Sequence, residues 1–186
     1  MNKYKIIALI GEAGSGKDTI MQKVLTHRKE HLHEIVSYTS RPPREGEQDG
    51  VNYHFISAEE FMDKIDNGEM IEYSYFNNWF YGTGYKSLST DKVNIGVFNP
   101  TGIRKLIERA DIDLETFWIQ VMPKTRLLRQ LNREENPDVY EIVRRFKTDT
   151  HDFSNIDFRF RTLINESVSD KIIAAAALIE TADNFN

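Results

Sequence analysis

Cysteine is absent from these 186 residues, which excludes disulfides, thiol catalysis and cysteine-ligated metals together. Long apolar runs are absent too. Before Gly11 only Ile6 to Ile10 are consecutively apolar, too few for a secretion signal or a membrane span, so the expectation is a cytoplasmic protein. Positive charge is in deficit: 24 Lys and Arg stand against 29 Asp and Glu, a net charge of −5. General nucleic-acid and membrane-surface binders carry the opposite balance, so any anion site here is a local concentration of cations. With 40% hydrophobic and 28% charged residues, the rest is an ordinary globular composition, long enough for one domain with a real core. Nothing in it reports oligomeric state.

What is present is concentrated at the front. The apolar run Ile6–Ile10 leads straight into Gly11-Glu12-Ala13-Gly14-Ser15-Gly16-Lys17-Asp18-Thr19. Gly-x4-Gly-Lys between a strand and a helix is a phosphate-binding loop: unobstructed backbone amides curl around a polyphosphate and the lysine reaches its outer oxygens. The following helix aims its positive end at the same anion. Gly11, Gly14, Ser15, Gly16, Lys17, Asp18 and Thr19 are therefore candidate ATP contacts. One position departs from the pattern. The Mg²⁺-binding hydroxyl expected after the lysine is replaced by Asp18, with Thr19 the nearest alternative, so Mg²⁺ is expected to be held mostly by phosphate oxygens and water.

Apolar runs rich in β-branched residues at Ile6–Ile10, Glu34–Tyr38, Val93–Phe98, Thr116–Val121 and Phe158–Ile164 alternate with helical stretches at Lys17–His27, Thr101–Ala110, Lys124–Arg133, Asp138–Thr148 and Val168–Thr181. Alternation of this kind implies a parallel sheet covered by helices on both faces. Between Ser37 and Ser89 prolines, glycines and aromatics break the rhythm, as an insertion carrying its own small sheet would.

Within the insertion, Ser37-Tyr38-Thr39-Ser40-Arg41-Pro42-Pro43-Arg44 presents two arginines around a rigid turn, followed by Tyr53. Guanidinium forks suit a phosphate monoester, and the prolines lower the entropy cost of presenting them. Farther on, Glu72 opens an aromatic stretch ending at Tyr81-Gly82-Thr83. A carboxylate among rings can accept two hydrogen bonds from a base edge. The competing readings are solvated surface charges for the arginines and Glu72, and plain core for rings such as Phe80.

These residues resemble the guanylate kinase family. Its signature Ser-x-Thr-Thr-Arg-x-Pro-Arg-x-Gly-Glu-x-x-Gly-x-x-Tyr-x-Phe is matched from Ser37 to Phe55 with Ser40 in place of one threonine, and the family's later Phe-x-Glu and Tyr-Gly-Ser/Thr elements resemble Met70-Ile71-Glu72 and Tyr81-Gly82-Thr83. The resemblance implies an α/β fold: a P-loop NTPase-type parallel sheet flanked by helices, with an inserted small α+β lobe that binds a nucleoside monophosphate, and a helical lid. The core would comprise residues 1–36 and 92–186, the lid about 126–145 and the lobe 37–91. It implies transfer of the γ-phosphoryl of ATP to GMP or dGMP, with ATP and Mg²⁺ required. Arg41, Arg44, Tyr53 and Tyr81 would hold the acceptor phosphate, while Ser37, Glu72 and Thr83 would read its base. Guanine offers adjacent N–H donors that match a carboxylate, whereas adenine presents an acceptor and would leave Glu72 unpaired. Where the family carries Asp-x-Asp at a strand end, this chain has Val97-Phe98-Asn99; Asn99 can still accept one bond from an exocyclic amine.

Arg126, Arg129 and Arg133 recur at i, i+3 and i+7, a basic stripe expected opposite an apolar side of Leu127, Leu128 and Leu131. A turn at Glu134–Pro137 precedes a second helix with Arg144 and Arg145. Lid arginines of nucleotide kinases neutralise charge developing on the transferred phosphoryl group, and Lys17, Arg133 and Arg145, then Arg129, are the catalytic candidates. Two rivals stay open: a kinase acting on another nucleotide or a sugar phosphate, and a non-catalytic guanylate-kinase-like module that binds a protein.

Overall fold

A computed structural model describes residues 3–44, 46–76, 78–133 and 135–185. Glu134, in the expected lid turn, lies outside them. The main sheet is built on β1 (Tyr4–Ile10), flanked by β7 (Val93–Val97) and β8 (Ile112–Gln120), with β2 (Leu32–Glu34) and β9 (Arg161–Ile164) at the edges. All of its pairings are parallel. Parallel strands need crossovers, and these supply the covering helices.

The alternating face pattern of β1 decides the layers. Ile7 and Leu9 pack with Ile20 and Val24 of α1 (Lys17–Arg28) and Leu178 of α6 (Val168–Asp183). Ile6, Ala8 and Ile10 face the other way, onto Ile103 and Leu106 of α3 (Pro100–Ile107). Every residue from Ile6 to Ile10 is fully buried, which is why this stretch reads as one continuous apolar run.

A second sheet, ordered β4-β3-β6-β5, is made from β3 (Tyr38–Thr39), β4 (His54–Phe55), β5 (Met70–Phe76) and β6 (Trp79–Gly84). The expected strand Glu34–Tyr38 is in fact a junction. Its first residue ends β2 in the main sheet and its last begins β3 in the second, with the chain changing sheets between them. The lobe also carries a helix outside the expected helical stretches, α2 (Ala58–Asp66). Its signal was present: Ser57 Oγ accepts from the Glu60 amide at 3.0 Å and Glu60 Oε2 accepts from the Ser57 amide at 2.8 Å, a reciprocal cap. Phe61 of this helix is fully buried and stacks on Phe80 with ring centroids 5.2 Å apart. Phe80 is thus half-buried packing against the lobe's core, in line with the core reading.

Between β8 and β9 lie α4 (Pro123–Leu131) and α5 (Val139–Asp152). The face of α4 is opposite to expectation. Arg126 and Gln130 are buried, whereas Leu127 and Leu128 are 38% and 48% exposed. The helix packs on polar loop backbone rather than on the apolar sheet, and a surface of carbonyls demands donors. No described helix is long and apolar enough to cross a membrane.

Removing the Phe61 ring should destabilise the protein by about 3–5 kcal/mol, the usual cost of emptying a large aromatic site. Denaturant unfolding of Phe61→Ala measures it; a loss under about 1 kcal/mol would mean the lobe does not pack around this ring.

Candidate active site

Residues 11–16 leave β1 as a tight loop in which Gly14 and Gly16 adopt φ of 81° and 83°. That left-handed region suits glycine. Space demands it too: a Cβ at Gly14 would lie 2.7 Å from the Arg126 carbonyl oxygen, and one at Gly16 would lie 2.6 Å from Asn165 Nδ2. Lys17 folds back across the loop, its ammonium donating to Gly11 O at 2.5 Å, with Glu12 O and Ser15 Oγ at 3.3 and 3.4 Å. Burial lowers the Lys17 pKa, while nearby Asp18, Asp149 and Glu12 oppose that and Arg126 adds to it.

Behind the loop sits α4. Gln130 Nε2 donates to Ala13 O at 3.4 Å, and Arg129 donates to Gly14 O at 3.4 Å and to Asn165 O at 2.7 Å. Asn165 Nδ2 in turn donates to Ser15 O at 2.7 Å. Arg126, stacked 4.6 Å from the Phe146 ring centroid, pairs with Glu12 at 2.7 Å and lies 3.7 Å from Asp149. In front, Asp149 of α5 accepts from the Ala13 amide at 2.7 Å. Burial raises the Asp149 pKa against the pull of that hydrogen bond and of Arg126 and Lys17.

A cavity of about 550 Å³ joins this loop to the second sheet; Gly11, Ala13 and Lys17 form one end of its wall. Midway lie Arg41, Arg44, Tyr53 and Tyr81 from the lobe and Arg145 from α5. Arg41 is 8% exposed and is anchored by Glu47 at 2.9 Å; the same carboxylate accepts from the Arg44 amide at 2.7 Å. Burial together with Arg145 and Arg41 lowers the Arg44 pKa, the mark of guanidinium groups crowded on one point. Arg145 is steadied by Glu141 at 2.8 Å. Hydrogen bonds, from Arg144 above all, hold the Glu141 carboxyl at about 2. Tyr53 and Tyr81 meet edge to face at 6.2 Å.

The far end belongs to Glu72. It is 6% exposed, and burial pushes its pKa up to about 7 against hydrogen bonding from Thr83 and the charge of Lys105. Thr83, fully buried below it, contacts Ser37 Oγ at 3.3 Å. Gly102 of α3 leaves the carboxylate its room, since a Cβ there would meet Glu72 Oε2 at 2.9 Å. Asn99 caps α3, its oxygen accepting from Gly102 N at 2.7 Å and its amide donating to Ser74 Oγ at 3.1 Å. One oxygen lone pair is thereby used, and Val97 contributes only apolar wall.

Most sequence candidates thus converge on one cavity. Ser37, Arg41, Arg44, Tyr53, Glu72, Tyr81 and Asn99 line it with Lys17 and Arg145. Gly14, Ser15 and Gly16 form the loop behind its wall, and Asp18 and Thr19 are exposed at the loop's outer edge. Arg133 does not join them. It is exposed just past the end of α4 and outside the cavity wall. Arg129 faces the back of the loop, because carbonyls there compete for its donors. Asp149 and Asn165 were missed; neither has a local pattern, and only the position of Asn165 directly after a strand could have drawn notice.

The sequence and the fold have counterparts. The guanylate kinase family model matches residues 3–182. A guanylate kinase of Campylobacter jejuni (strain RM1221) is 25% identical over 178 residues, covering 94% of this chain and 87% of that protein. One of Malacoplasma penetrans (strain HF-2) is 37% identical over 153 residues, covering 78% and 69%. The crystal structure of guanylate kinase from Anaplasma phagocytophilum superimposes with a TM-score of 0.67 at 22% identity, over 97% of this chain and 87% of that one, which shows a shared fold. A family match from residue 3 to residue 182, laid over a cavity that runs from a phosphate loop to a buried glutamate, places this chain in the guanylate kinase family.

Proposed function

We propose that this protein transfers the γ-phosphoryl group of ATP to the phosphate of GMP or dGMP, releasing ADP and, respectively, GDP or dGDP. One observation carries the reading: the loop lysine, the arginine cluster and the buried Glu72 open into a single cavity. ATP lies with its phosphates in the loop amides, and Lys17 turns from the loop carbonyls to the outer phosphate oxygens. The acceptor phosphate sits among Arg41, Arg44, Tyr53 and Tyr81. Arg145, near enough to Arg44 to depress its pKa, stands where charge builds on the group in flight. An acceptor oxygen bonds to the γ-phosphorus as the bond to the ADP oxygen breaks, so positioning and charge neutralisation suffice. Residues 37–91 act as the acceptor lobe, and its closure with α5 keeps water from the phosphoryl group.

Mg²⁺ fits as a companion of the polyphosphate. Among the described residues no three His, Asp or Glu side chains converge on a metal position, so phosphate oxygens and water would be its main ligands, with Asp18 and Thr19 at the loop's edge. It would neutralise phosphate charge there. The alternative readings, another acceptor or a protein-binding module, gain no supporting observation.

A coupled assay of ADP formation over GMP, dGMP, AMP and dTMP tests the proposal. Guanine substrates should exceed the others by about 10³-fold in kcat/KM, as expected when a wrong base leaves a buried carboxylate unpaired; equal rates on AMP would overturn the assignment. Lys17→Ala should abolish turnover.

Ionisation of Glu72 gives a second check. With its free-state pKa raised from 4.5 to about 7, the folded chain holds this proton more tightly than the unfolded one, and the resulting stability is lost as pH rises from about 4.5 through 7. Guanine requires the ionised form, so GMP affinity should rise with pH through about 7. Glu72→Gln should remove that part of the pH dependence, leaving the phosphate's own ionisation near pH ~6, and should raise the KM for GMP more than it lowers kcat. An unchanged pH profile in this variant would remove Glu72 from base reading.

A further inference from the structure

Within a trans peptide the carbonyl oxygen and the next residue's N–H point in opposite directions. A donor that holds a loop carbonyl from behind therefore aims the following amide forward. The Ser15 amide is spent inside the loop, donating to Glu12 O at 3.1 Å, so the aim of its neighbours matters more. Gln130 on Ala13 O aims the Gly14 amide, and Asn165 on Ser15 O aims the Gly16 amide.

Asn165 is the better placed of the two. It is 1% exposed, and its own amide donates to Gln120 O at 3.1 Å, which extends the main-sheet ladder past the end of β9. Its Nδ2 occupies the space that a Gly16 side chain would fill. Its Oδ1 is buried without a hydrogen-bond partner among the described residues, a cost tolerated in return for keeping Nδ2 on the Ser15 carbonyl, since the flipped amide would set oxygen against oxygen. Arg129 locks the arrangement by bridging Gly14 O and Asn165 O.

We infer that Asn165, backed by Arg129 and Gln130, is a positioning residue that sets affinity for the ATP and ADP phosphates by holding the loop from behind. It touches no substrate. The inference rests on the reading of this loop as the ATP cradle and makes α4 a brace for that loop rather than part of a lid.

Calorimetric binding of ADP and of GMP, each measured alone, tests it. Asn165→Ala should weaken ADP about tenfold, the worth of one buried hydrogen bond, while GMP affinity stays within about twofold. Asn165→Asp should weaken ADP further, because a carboxylate would face the Ser15 carbonyl. A generally damaged fold would lower both affinities together. That result, or unchanged ADP binding, overturns the proposal. Should Asn165→Ala fail to fold, Gln130→Met decides: it keeps the volume and removes the donor, and the same selective loss of ADP is expected on a smaller scale, its absence counting against the brace. Wild-type protein that binds no ADP sinks the kinase reading as well, whereas wild-type binding matched by an unimpaired Asn165→Ala sinks this inference alone.

Discussion

Two polyanions must meet head to head on a chain whose own net charge is −5. Repulsion between phosphates, not their affinity for protein, is the constraint around which the site is built. The chain answers it with cations tethered by its own acids. Glu47 holds Arg41 and caps the Arg44 backbone, Glu141 holds Arg144 and Arg145, and Glu12 with Asp149 flanks Arg126. Tethering of this kind removes side-chain entropy before any substrate arrives. It also lets a protein acidic on the whole gather Lys17, Arg41, Arg44, Arg144 and Arg145 around one cavity.

Glu72 obeys the opposite logic. It is an acid given no full ion pair, buried until its proton is held to about 7. A carboxylate in a full ion pair would gain little from a further donor, whereas one hydrogen-bonded by Thr83 alone among the described residues keeps lone pairs for donors on a ligand. Thr83, Ser37 and Gly102 shape the slot around it without neutralising it.

How much of this was legible in the sequence follows from how local each feature is. The loop from Gly11 to Lys17 and the segment from Ser37 to Phe55 announce themselves because their chemistry is set by consecutive residues. The brace behind the loop does not, because Asn165 and Ser15 are 150 positions apart. Helix α4 misleads for a related reason. Periodicity says which residues share a face but not what that face meets, and here it meets carbonyls, so arginine and glutamine turn inward and leucines outward. The apolar run Glu34–Tyr38 reads as one strand because composition cannot register a change of sheet in mid-run.

The seam between β5 and α3 has a mechanical side. Asn99 reaches Ser74, Lys105 donates to the Tyr73 carbonyl, and Ile71 packs in the same cluster as Ile103, so this margin of the lobe is riveted to the core. The opposite margin, β4 at the end of the four-stranded order, pairs only with β3 among the described strands. A body fastened along one border swings like a door on that border. Were the lobe to turn there, the Glu72 slot on β5 would lie beside the hinge, and Arg41, Arg44 and Tyr53, around β3 and β4, at the moving edge.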